Sequence, residues 1–198
     1  TGPDQFPFAI PIGPDGSRWR FDTPAGKEEI ENRRIGRNEL DAIQVCLAYV
    51  DAQREYYAAP RTPDRVQQYA RRTASTPGKH DGLAWQKPDG TWGGPVGEEI
   101  ARVIAEGYTD RYLPYHGYYF KILKGQGPAA PLGEMDFRVK GVMIGGFALV
   151  AAPAEYEKTG VMTFIVSHEG IVYQQDLGPK TLELFRAMER YNPDSNWK

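Results

Sequence analysis

The sequence predicts an α+β fold, with a long N-terminal amphipathic helix packed on an antiparallel β-sheet and extra short helices around them. Three observations carry the prediction. Helical periodicity is concentrated in the first part of the chain, and β-rich runs follow it rather than alternating with it. Apolar residues Leu40, Ile43, Leu47, Val50 and Tyr57 recur at three- and four-residue spacing over Asn38 to Ala58. After Gly117, short β-rich runs are separated by Gly or Pro turns, the pattern of a sheet that presents one face to a partner.

Taken in order, residues 1–22 read as an extended lead-in. They carry Pro3, Pro7, Pro11 and Pro14 and a Pro14-Asp15-Gly16 turn ahead of Trp19 and Phe21. Thr23-Pro24 reads as an N-cap followed by Pro at the first helical position, with a stop near Gly36. Asn38 then caps a second helix, with Asp41 three residues on, so a corner is expected between Arg33 and Asn38. A single domain is expected over 23–198, with an inserted loop and hairpin region at about 59–94. Within it Thr62 to Arg72 reads as a short helix, Ser75 to Leu83 as a surface loop, and Trp85 to Trp92 as a small hairpin around Pro88-Asp89-Gly90. Pro95 to Glu106 reads as a helix closed by Gly107. Strands are expected at Tyr118 to Leu123, Phe137 to Val142, Phe147 to Ala152, Met162 to Val166 and Ile171 to Gln175, and a C-terminal helix from Pro179 to Tyr191.

Composition narrows the function classes. In 198 residues, 24 Lys and Arg stand against 26 Asp and Glu, and 12 of each sign fall in residues 1–82, so no basic footprint for nucleic acid is present. The most apolar run, Gly141 to Pro153, is shorter than the roughly 18 residues a span requires and holds three glycines. Thr1 and Gly2 lead straight into Pro3 and Asp4 with no charged-then-apolar leader, so the natural start of the chain is expected to have been removed. The lone Cys46 falls inside the helical pattern and reads as an inert buried thiol.

Candidate chemistry is sparse. His80, His116 and His168 lack the spacing of a metal site, and neither metal nor cofactor is implied. Ser75 or Ser167 with His80 and Asp81 makes no convincing triad, because no strand-turn-helix elbow holds either serine. The cationic set Arg33, Arg34 and Arg37, beside Asn38 and Glu39, has two readings. At a helix corner the guanidinium forks suit a carboxylate or phosphate; alternatively they pair with Glu29, Glu39 or a sheet carboxylate and lock the corner. His80 and Asp81 sit on the loop, where a switchable donor and acceptor is well placed. Tyr108, Tyr112, Tyr115, Tyr118 and Tyr119 crowd around His116, either to stack on sugar rings or to fill the gap between sheet and loop. As an enzyme, the chain would use His116 or Glu39 for acid/base work, with His80 and Asp81 converging on the same pocket and the arginines holding an anion.

The runs Asn32 to Glu39, Asp51 to Tyr57, Ser75 to Leu83, His116 to Tyr119 and Gly146 to Ala151 resemble the exported bacterial family of the domain of unknown function 2950. That resemblance implies a signal-bearing protein of the periplasm or outer envelope, in some members a lipoprotein, with no established activity. More distantly the chain resembles the globular head of type IV pilins and pseudopilins. The order of features matches: Asn38-Glu39 opens a long helix ending in Tyr56-Tyr57, Gly117 to Phe120 follows, then Phe147 to Pro153 and Met162 to Phe164. This second resemblance implies a helix laid across an antiparallel sheet, although the apolar first half of the pilin helix is replaced by the polar stretch Thr23 to Arg37. Two functional expectations stand together: a non-enzymatic module binding an envelope protein, and an envelope small-ligand or glycan binder or enzyme built on those arginines and histidines.

Overall fold

The computed structural model describes residues 7–59, 67–97 and 114–198. The N-terminal lead-in differs from the expected extended segment, because β1 (Ile12–Asp15) and β2 (Arg18–Phe21) pair as an antiparallel hairpin. Its turn uses Gly16 at φ +63°, a backbone conformation that costs glycine little.

Helix α1 runs unbroken over Thr23–Ala58, about 54 Å at 1.5 Å per residue. Its cap is Asp22, one residue earlier than predicted. The Asp22 carboxylate accepts the Ala25 N–H at 3.1 Å, and Pro24 occupies the first turn, where a missing N–H is no loss. The corner expected at Gly36 does not form. A glycine inside a helix costs about 1 kcal/mol relative to alanine, but residues on both sides of it, Arg34, Asn38 and Glu39, bond to the single segment 158–162. A continuous helix sets Arg34 and Asn38 one turn apart on one face, with Glu39 beside them along the same segment.

The helix lies across a four-stranded antiparallel sheet in the order β12 (Val172–Asp176), β11 (Met162–Ser167), β10 (Ala148–Pro153), β5 (Tyr118–Leu123). The buried helix face overlaps the predicted stripe only in part: Val50 is buried and Ile43 packs against the core. Ala42, Cys46, Tyr49, Gln53 and Tyr56 point inward, whereas Leu40 is 65% exposed and Leu47 37%. Gln53 can be buried because its amide bonds the Ala70 peptide twice, accepting the N–H and donating to the carbonyl, each at 2.8 Å. Between helix and sheet, Tyr118, Leu149, Phe164 and Val166 complete the core.

The opposite sheet face is covered by α2 (Thr181–Ala187), entered through a 3-10 turn at Gly178–Lys180. Phe185 of α2 stacks on Tyr119 with ring centroids 6.4 Å apart. This helix stops short of the predicted Tyr191, because β13 (Arg190–Tyr191) leaves it to pair in parallel with β6 (Gly125–Gln126), which also pairs with β7 (Met135–Asp136). The strand expected over Phe137 to Val142 is instead a hairpin of β8 (Arg138–Val139) and β9 (Val142–Met143). Lys140 and Gly141 both turn through positive φ between them. The hairpin of β3 (Trp85–Gln86) and β4 (Trp92–Gly93) matches its expectation. Residues 67–72 are irregular rather than helical. The start of that predicted helix, most of the one at Pro95 to Glu106, and Tyr108 and Tyr112 lie outside the described residues.

Candidate functional site

The middle of α1 meets two loops, the turn Tyr115 to Tyr118 entering β5 and the segment Glu155 to Val161 entering β11. Asn38 donates its amide to the Thr159 carbonyl at 2.8 Å, and Arg34 donates to the Lys158 carbonyl at 3.2 Å. One Glu39 carboxylate oxygen accepts two backbone N–H groups, from Val161 at 2.9 Å and Met162 at 3.0 Å. Tyr118 is fully buried and donates to the Met162 carbonyl at 2.9 Å. Burial pushes its hydroxyl well above the ordinary tyrosine range, and the nearby Glu39 charge adds to the effect. Gly117, at φ +75°, lets the turn approach closely, since a Cβ there would meet Asn38 Nδ2 at 2.8 Å.

At the rim of this waist His116 Nδ1 lies 2.6 Å from Asp41 Oδ2, both groups partly exposed, and the Tyr115 ring sits 4.3 Å from the imidazole. A carboxylate at one ring nitrogen orients an imidazole, as in an acid/base group. Asp41 was expected to help cap Asn38; with no helix start there, it holds His116 instead. Arg37, on the same helix face, is exposed and has no bonded partner among the described residues.

The other candidates lie elsewhere. The Tyr56 hydroxyl donates to the His80 carbonyl at 2.6 Å, and the His80 ring packs on Trp85 with centroids 4.5 Å apart. Asp81 accepts from the Thr76 N–H at 2.7 Å and its hydroxyl at 2.9 Å, with Arg72 at 3.8 Å. Partial burial raises the Asp81 carboxyl, but the Thr76 bonds and Arg72 outweigh it and hold it below the usual carboxylate range. Tyr56 follows Asp41 by fifteen helical residues, which is about 22 Å. His80 and Asp81 therefore do not join Glu39 and His116 in the single pocket the enzyme reading required. Arg33, at the outer end, pairs with Glu29 at 2.7 Å and donates to the Pro7 carbonyl at 2.8 Å. Ser75 bonds across the loop neck to Gly82, and Ser167 is buried. Among the described residues no group of three or more His, Cys, Asp or Glu is placed to hold a metal ion.

A family model described as "Protein of unknown function (DUF2950)" matches residues 1–198. The chain belongs to the DUF2950 family. No curated protein and no solved structure matches it. In this DUF2950 chain the polar residues of the waist act first as fold ties, and Tyr118 offers no exposed face for a sugar, because the strand alternation of β5 turns it toward α1. Sequence reading missed Asp41 as the partner of His116. The available signal was its spacing, seven residues beyond Arg34 and three beyond Asn38, which places all three on one helix face. No helix among the described residues is long and apolar enough to cross a membrane.

Proposed function

We propose that this protein is exported and works in the cell envelope by binding another envelope protein, not by catalysis. The observation that carries the reading is the N-terminal hairpin. Phe8, Ile12, Trp19 and Phe21 are all more than half exposed, Trp19 at 72%. The Phe8 and Phe21 rings contact edge-to-face at 5.9 Å, Ile12 pairs across the hairpin with Phe21, and Trp19 lies two residues along the strand on the same face, so these side chains form a continuous surface rather than scattered single residues. Exposed aromatic surface of this kind marks interaction sites, and a two-stranded hairpin whose outer edges pair with no other strand among the described residues invites a partner strand. Before Ala42 the only buried residue of α1 is Gly26, covered by Ile10, so the first half of the helix carries the hairpin away from the sheet. A helix across a four-stranded antiparallel sheet also supports a distant kinship with pilin heads, with the polar half-helix replacing the segment that enters a pilus core.

The test is envelope fractionation with native sizing of the full-length protein and of the double variant Trp19→Ser, Phe21→Ser. Substitutions at such exposed positions change stability by no more than about 0.5 kcal/mol. The expected result is an envelope-located complex that the double variant loses while keeping its melting temperature. A cytosolic location, or a complex indifferent to both substitutions, overturns the proposal.

A further inference from the structure

The sheet face away from α1 carries an open cleft of about 360 Å³ between β11, β12, α2 and residues 190–197. Small-ligand sites occupy about 300–1,000 Å³, lined by apolar surface with a few polar groups that set orientation. Ile165, Leu184 and Met188 supply the apolar lining, and Trp197, half-buried against the core, adds an aromatic wall. Leu184 is 44% exposed, so its apolar surface is left open to solvent.

The polar lining has unused bonding capacity. The Gln175 amide makes no hydrogen bond among the described residues. Asn192 accepts the Ala129 N–H at 2.9 Å through Oδ1, which leaves its NH2 group to donate. Asp194 accepts the Asn196 N–H at 2.9 Å through Oδ1, which leaves Oδ2 to accept. The cation of the cleft is already used. Arg190 bonds Asp136 at 2.6 Å and the carbonyls of Gln126 and Met135 at 3.1 Å, with Glu134 at 3.7 Å. An anionic ligand would find no free guanidinium there and would meet the Asp194 carboxylate. The complementary ligand is neutral, with one apolar face and a rim of groups that both donate and accept.

We propose that this cleft binds a neutral saccharide, with a ring face against Trp197 and Leu184 and hydroxyls on Gln175, Asn192 and Asp194. The site is independent of the hairpin surface, and it is a different place from the tyrosine cluster around His116. Planar amide and carboxylate groups beside an indole match a pyranose, whose C–H face is apolar and whose edge is hydroxylated.

The experiment is a 1H–15N NMR titration of the full chain with cellobiose, maltotriose and N,N′-diacetylchitobiose, each taken to about 10 mM, which detects binding with Kd near 1 mM. The expected result is that at least one sugar shifts the Trp197 indole N–H and the Gln175 and Asn192 side-chain amides together. Gln175→Ala, which removes no internal bond, weakens that binding about tenfold, and Leu184→Glu abolishes it. Trp19→Ser leaves it unchanged, so failure here and failure of the hairpin reading are distinguishable. The proposal is overturned if none of the sugars moves these three residues, if phosphate moves them more strongly than any sugar, or if Gln175→Ala binds as well as the native chain.

Discussion

Removing the Glu39 carboxylate asks whether the waist is scaffold or chemistry. In Glu39→Ala the Val161 and Met162 N–H groups lose an acceptor that holds them at 2.9 and 3.0 Å. A hydrogen bond to a charged group contributes about 1.5–3 kcal/mol, and partial access of water argues for the low end, so two bonds come to about 3 kcal/mol. For a chain of this size that lowers the melting temperature by about 6–12 °C. Glu39→Gln keeps an acceptor oxygen and exchanges charged bonds for neutral ones, so it loses about 1 kcal/mol. Urea unfolding followed by tryptophan fluorescence measures both variants. The expected order of stability is native, then Glu39→Gln, then Glu39→Ala. If Glu39→Ala matched the native chain within about 0.5 kcal/mol, the carboxylate would not be committed to the backbone, and the reasoning would fail.

Three further outcomes follow from named contacts. Gly36→Ala gains about 0.5–1 kcal/mol in thermal or urea unfolding, because the position is mid-helix and a Cβ there meets nothing within 4 Å; a loss would restore the helix corner. Burial pushes the Cys46 thiol up to about 12, so the folded protein stays inert to a thiol-disulfide reagent at pH 8 and reacts once unfolded in guanidinium; rapid native labelling would contradict its buried placement. Asp81 has its folded pKa held below the ordinary value. Its stabilising contribution is therefore complete above about pH 4 and declines as pH falls through the folded value. Asp81→Asn destabilises at pH 7, and its deficit shrinks in acid; a deficit unchanged down to pH 2 would refute the assignment.

The sheet was legible because its strands are β-branched and aromatic runs bounded by Gly or Pro, and Tyr118 to Leu123 forms with the predicted limits. The other three strands of that sheet were found to within a residue or two for the same reason. Failures came where a distant partner overrides a local signal. Gly36 and Asn38 look like a helix end and a new cap, yet Asn38 is used by Thr159, 121 residues away. The apolar stripe was read correctly at Val50 and Ile43 and wrongly at Leu40 and Leu47, because leucine outweighs Tyr, Cys and Gln in hydrophobicity, whereas the buried face depends on Gln53 finding the Ala70 peptide. The C-terminal helix ran on in prediction because the pairing of Arg190 and Tyr191 with Gly125 and Gln126 leaves no periodic trace. As for the site, the enzyme reading set Arg33, Arg34, Glu39, His80, Asp81 and His116 in one pocket; Arg34 and Glu39 instead bond mostly backbone groups, which carry no sequence signature. The separation of His80 and Asp81 from them follows from the length of α1, which the false corner had hidden.

The most direct test of the central claim, that the hairpin is the working surface and the waist is scaffold, is site-specific photocrosslinking in cells. A photoreactive residue is placed at Trp19 in one strain and at His116 in another, both in the full-length protein, and adducts are identified by mass spectrometry. The account predicts a discrete adduct with one envelope protein from position 19 and none from position 116. An adduct from position 116 with position 19 silent would contradict it.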